Sequence, residues 1–211
     1  MSSYTFFVNC FVSLFVIVNP IGAIPIFISI TEGDDYKKKN LIAKKASINS
    51  FIVLIIFTFF GEYILKFFGI TIPAFEIGGG IILFMISLEM LQATPVRVKT
   101  TPEEEEESGK KADVSLMPLA IPILSGPGAI TTVLVFSGKG GSPFFKILVV
   151  IAVAATAIIT YITLKYAVTL SRIMGKSGIN LMNRILGLIL AVTSAQFVID
   201  GIKDVLPLLS K

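Results

Sequence analysis

Two short stretches of this sequence set backbone-breaking residues inside apolar runs. They are Asn19-Pro20-Ile21-Gly22 in "VIVNPIGAIPIF" and Ser125-Gly126-Pro127-Gly128 in "LSGPGAIT". Neither carries a group suited to acid–base or covalent work. What both can offer is the main chain itself, since Pro removes a donor and Gly lets a ligand approach closely. Asn19 before Pro20 reads as an N-cap with Pro at the first helical position. Gly126 before Pro127 repeats the form, with Ser125 as a further capping oxygen. Each break would then start a half-helix whose first N–H groups and aligned dipoles, about half a positive charge, attract a carboxylate. The carbonyls that end the preceding half-helix can accept from an ammonium or hold a cation. A small neutral zwitterion fits this chemistry, because no Lys, Arg, Asp or Glu flanks either break. Thr131 and Thr132, one turn past the second break, are candidates to line the same cavity.

The remaining residues narrow the chemistry further. The chain has no His and a single Cys, Cys10, which removes imidazole catalysis, the commonest zinc sites and any intrachain disulfide. Ser125 has no recognisable base and no G-x-S-x-G motif is present, so an enzyme is not expected, nor a cofactor or a bound metal. A formal charge of +4 could suggest a nucleic-acid partner. The Lys and Arg residues instead follow the joints between apolar runs, and no such partner is expected.

Those joints belong to a membrane chain. Hydrophobic residues make up 54% of the 211 positions and charged ones 15%, against about 25% in soluble domains. Mean hydropathy is +0.87. Six apolar runs stand out, at 4–30, 46–66, 72–92, 115–137, 145–169 and 185–208. Each is long enough to cross about 30 Å of hydrocarbon as a helix. None alternates with a period of two, so helices rather than a barrel are expected. The N-terminal run lacks a basic leader and outlasts a signal-peptide core, so it reads as a retained span. The polar stretch 94–114, with its Glu103–Glu107 run, reads as a solvated linker between halves 1–93 and 115–211. Of the 18 Lys and Arg, 13 fall on the side reached after spans one, three and five, from Lys37 to Arg184. The other five are Lys66, Lys139, Lys146, Lys203 and Lys211. That bias puts the first group in the cytoplasm and both termini outside a multi-pass cell membrane protein.

The two breaks also align. "VNPIGAIPIFISIT" (18–31) lies over "LSGPGAITTVLVFS" (124–137), and more weakly "EIGGGIIL" (76–83) over "RILGLILA" (184–191), matching Gly79 with Gly187. Two halves of three spans each must run in opposite directions, so the expected fold is all-α. It has six transmembrane helices as two inverted three-helix repeats, with helices one and four discontinuous. Asn9, Asn49, Ser87, Thr193, Ser194 and Gln196 are open to ligand contact or to ordinary interhelical bonding. Glu76, Glu89 and Asp200 stand toward span ends and read as interfacial. Gly78, Gly79 and Gly80 read as close-packing positions.

"NPIGAIPIF", "LSGPGAIT" and "GGGIILFMISLEML", spread over six spans, resemble the MarC/SnatA family of integral membrane proteins. The resemblance covers essentially the whole chain. It implies a transporter that moves small neutral amino acids such as glycine and alanine by alternating access, coupled to a cation, Na⁺ or H⁺. It also implies that Asn19 through Gly22 and Ser125 through Gly128 frame the substrate. Glu76 departs from the basic residue that opens the third span elsewhere in the family. The alternative on the same architecture is an exporter or permease for another small solute or drug. Oligomeric state is not readable from these residues.

Overall fold

A computed structural model describes residues 2–92, 124–139 and 142–209, with side chains to 206. The linker expected at 94–114, its Glu103–Glu107 run and the opening of the fourth span at 115–123 lie outside the described residues. Those described form seven helices: α1 (Ser3–Val18), α2 (Ala23–Ile30), α3 (Tyr36–Phe67), α4 (Ile72–Leu91), α5 (Pro127–Lys139), α6 (Pro143–Lys165) and α7 (Ala167–Leu209).

Local chemistry starts most of them. Ser2 caps α1 by accepting from Thr5 N–H at 3.2 Å, and Asp35 caps α3 by accepting from Lys38 N–H at 2.8 Å. Thr71 caps α4, with Pro73 in the first turn, where a missing donor does no harm. Ser142 before Pro143 does the same for α6. The caps explain two departures from the expected spans. α3 begins at Tyr36, ten residues before the apolar run, because Asp35 starts it and the Lys- and Ala-rich stretch propagates it. The last helix begins at Ala167 rather than 185 and is interrupted at Gly175 (φ 62°, ψ 178°), so its long segment starts at about Lys176.

α3, α4, α6 and α7 are each long and apolar enough to cross a membrane, and α1 with α2 makes a fifth crossing bent by 44°. α5 alone, at 13 residues, spans only about 20 Å. The described helices therefore account for four spans, or five with the bent pair, where six were expected.

α5 is the centre of the molecule. Every residue from Gly128 to Ser137 except Ile130 is buried, the signature of a helix enclosed by others. Around it α4 packs along α7, α3 along α6 and α1 along α6; α4, α3 and α1 each also touch α5. Large apolar side chains such as Phe60, Ile81, Met85, Ile158 and Val192 face outward, which suits hydrocarbon as solvent.

The α4–α7 seam is set by three glycines; a Cβ on Gly201 would lie 2.8 Å from the Pro73 carbonyl oxygen. A Cβ on Gly80 would lie 2.9 Å from the Ser194 carbonyl oxygen, and one on Gly187 3.2 Å from that of Ser87. Without side chains there, the backbones come into direct contact. Gly80 and Gly187 are thus seated reciprocally, where the sequence match sets Gly79 against Gly187. Gly79 instead receives the Thr131 side chain of α5.

Candidate functional site

The first break forms as predicted but by a different cap. Asn19 takes φ 44° and ψ 65°, the only positive φ among the described non-glycine residues. Asn tolerates this left-handed conformation better than most. It ends α1, its N–H donating to Phe15 O at 3.0 Å. Pro20 to Gly22 form a turn and α2 starts at Ala23, not at Pro20. Asn19 is thus the C-cap of α1, and its side chain also reaches forward: Oδ1 accepts from Gly22 N–H at 3.0 Å. Ala23 N–H donates to Asn19 O at 3.2 Å, and Ile24 N–H to Ile21 O at 3.1 Å. Pro25 has no donor. The amide end expected to be free is therefore occupied by the chain itself in this conformation, with a side-chain amide at the place foreseen for a carboxylate.

The other half of the Asn19 amide points at α7. Nδ2 donates to Asn183 Oδ1 at 3.2 Å. Gly22 is what permits the arrangement, since a Cβ there would overlap the Asn19 amide and lie 2.8 Å from Asn183 Oδ1. Asn183 was missed by the sequence reading, which opened the sixth span at 185 and left Asn183 in the joint. The signal available was its place four residues before Gly187, on the face that packs inward.

At the second break Pro127 is the first helical residue, as expected, and Gly126 O accepts from Ile130 N–H at 3.1 Å. Ser125 is buried. A Cβ on Gly128 would stand 2.7 Å from Leu83 Cδ2 and 3.1 Å from Ile17 Cγ2. Gly128 thus packs on α1 two residues before Asn19, and the two breaks meet through it. In this conformation apolar side chains, not an open cavity, fill the space above Gly128.

Thr131 is not part of this meeting point. Its methyl side faces Gly79 and its hydroxyl donates to Pro127 O at 2.8 Å. Thr132, Thr193, Ser87 and Ser194 likewise donate to carbonyls of their own helices at 2.6–2.9 Å. Asn9 is exposed on α1, Asn49 is half-buried on α3, and Gln196 donates to Asp200.

A second polar cluster joins α4, α5 and α7. Glu76, expected at the interface, is fully buried. Lys139 Nζ lies 2.7 Å from Glu76 Oε1 and 3.0 Å from Asp200 Oδ2. The Glu76 contact is ionic rather than a directed hydrogen bond, and neither of its oxygens has a hydrogen-bond partner among the described residues. Gln196 Nε2 steadies Asp200 at 2.7 Å, and the ammonium lies 6.0 Å from the centre of the Phe197 ring. Along α7, Asn183 and Asp200 are separated by roughly 25 Å of helix. The neutral amide pair and the ion cluster therefore lie toward opposite ends of the bundle.

Comparison with known proteins agrees with this architecture. The family described as "MarC family integral membrane protein" matches residues 4–206. The UPF0056 membrane protein MJ1677 of Methanocaldococcus jannaschii is 40% identical over 95% of this chain and 98% of its own. The UPF0056 membrane protein YvbG of Bacillus subtilis is 39% identical over 98% of this chain and 99% of its own. YhcE of Escherichia coli, with the same description, is 34% identical over 93% and 92%. No solved structure matches. A helical bundle with a capped break in its first crossing, matched over nearly its whole length, belongs to the MarC family of integral membrane proteins.

Proposed function

We propose that this chain is a secondary transporter of small neutral amino acids, of the glycine and alanine class, working by alternating access and driven by a Na⁺ or H⁺ gradient. The observation that carries the reading is the Asn19 break. Its side-chain amide bridges the turn at Gly22 and Asn183 of α7, beside the Gly128 break of α5. The arrangement has the form of a site closed on itself. A substrate carboxylate would replace Asn19 Oδ1 at the Gly22 N–H. Asn19 Oδ1, released from Gly22, and Asn183 Oδ1, released from Asn19 Nδ2, would then accept from the substrate ammonium. No charged side chain contacts the pair among the described residues, which favours a solute of zero net charge.

We read halves 1–93 and 115–211 as an inverted pair of three-span units in the cell membrane, both termini outside. The packing of α4 on α7 and of α3 on α6 supports this, as do the matched crossed contacts of α1 on α6 and α3 on α5. So does the reciprocal seating of Gly80 under Ser194 and Gly187 under Ser87, since both pairs are seven residues apart on antiparallel helices. Rocking one unit against the other would expose the breaks to each side in turn. The orientation rests on the Lys/Arg bias.

The test is uptake of labelled glycine or alanine into proteoliposomes with a Na⁺ gradient, a proton gradient and neither. Saturable, gradient-dependent uptake that unlabelled alanine competes away is expected. If no neutral amino acid is taken up, the substrate assignment fails; stabilisation by another solute class would then favour a permease or exporter for that class.

A further inference from the structure

Between α3 and α6, at the Lys-rich end of the bundle, runs an outward-facing groove of about 490 Å³. Its length is apolar, formed by Ile48 and Phe51 on one wall and Ala154, Ala157 and Ile158 on the other. The two alanines leave the space. Its mouth is polar, formed by Asn40, Lys44 and Tyr161, with Ser47 deeper in.

Three observations at the mouth point to an absent anionic group. First, Ser47 is 4% exposed and its hydroxyl has no hydrogen-bond partner among the described residues. Thr58, Thr131, Thr132, Ser137, Thr156 and Thr160 all donate to the carbonyl four residues back, the usual outlet in a helix. Ser47 does not. Second, Tyr161 OH donates to Asn40 Oδ1 at 3.0 Å, which fixes the Asn40 amide and leaves its NH₂ as a donor. Third, Lys44 is exposed and Lys165, one turn beyond Tyr161, lies 5.9 Å from that ring's centre and 5.4 Å from that of Tyr166. Neither ammonium is ion-paired among the described residues.

We infer that this groove binds one anionic phospholipid, its phosphate held by Lys44, Lys165 and the Asn40 amide. Ser47 donates to an oxygen of the glycerol-ester region, and an acyl chain fills the apolar length. Charge complementarity commits the site to an anionic lipid. Two unpaired cations stand where the groove meets the headgroup layer, on the side that the Lys/Arg bias assigns to the cytoplasm. The site is independent of the transport reading, requiring only that the chain lies in a bilayer.

The test compares dioleoylphosphatidylglycerol with dioleoylphosphatidylcholine on the purified full-length chain, by native mass spectrometry and by the shift in Tm. Retention of one phosphatidylglycerol with a preference of roughly tenfold or more is expected. Lys44→Ala with Lys165→Ala should abolish the preference while some retention of either lipid persists. Ala157→Phe, which fills the groove, should abolish retention of both; Ser47→Ala serves the same purpose with a smaller loss if that variant does not fold. Glycerol phosphate alone should not raise Tm, because the acyl chain is part of the site. Equal retention of the two lipids by the wild type, or a preference that survives the double lysine change, overturns the proposal. So does a dimer that Ala157→Phe converts to monomer, since a second copy would then occupy the groove.

Discussion

Glu76 and Asn183 hold like places on the two helices of the α4–α7 seam and do opposite chemistry there. Glu76 stands four residues before Gly80 on α4, Asn183 four residues before Gly187 on α7, and those glycines are partners across the seam. Each reaches to the broken or short span beside it, Asn183 to Asn19 and Glu76 to Lys139. One tether is a neutral amide pair at 3.2 Å; the other is an ion pair with one member fully buried. A neutral pair can part and be satisfied by a zwitterion or water at modest cost. A buried carboxylate cannot lose the cation beside it without a large penalty. The frame is shared, and the force needed to open each end is not.

The sharpest way to break this comparison is to remove the cation. Lys139→Met strands Glu76 and should lower stability by about 3–5 kcal/mol, read as a large fall in Tm; adding Glu76→Gln should restore much of it. If Lys139→Met is as mild as Asn183→Ala, the ion pair is no anchor and the contrast disappears. Gly128→Leu comes next. It forces bulk against Leu83 and Ile17, and about 1–3 kcal/mol of overpacking should accompany loss of uptake, measured on protein that still inserts.

Asn19→Ala should cut uptake by about tenfold or more, from the roughly 1.5–3 kcal/mol of a lost hydrogen bond to a charged group, while Tm falls less than for Lys139→Met. Wild-type uptake in this variant would move the substrate elsewhere. Asp200→Asn is expected to cost at most about 1 kcal/mol, because its side chain is a third exposed and screened. The smallest effect belongs to the acidic stretch: replacing Glu103–Glu107 by Ser and Gly should leave uptake within about twofold, as for a solvated linker.

Much of this molecule could be read from its residues. Apolar length located α3, α4 and α6, because hydrocarbon admits only helices. Asn-Pro located the break after α1, and Gly-Pro the start of α5. What eluded the reading was tertiary. Whether Asn19 opens a helix or closes one depends on a single φ angle, and either choice leaves the same sequence. Asn183 lay hidden because the polar start of α7 is low in hydropathy, though it is helical and inside the bundle. Glu76 looked interfacial by its distance from the end of its span. Its burial follows from Lys139 and Gly201 packing over it, which no local pattern encodes. Which of the three glycines at 78–80 lies against the seam was not legible either, since all satisfy the pattern and only Gly80 meets a facing carbonyl.

The carbonyls of Ser87 and Ser194, each seated in a glycine notch of the opposing helix, have a mechanical meaning. Keyed in this way, and again where the Pro73 carbonyl meets Gly201, α4 and α7 resist sliding lengthwise against each other. The two helices then form a single strut, which fixes the distance between the amide pair at Asn183 and the carboxylate at Glu76.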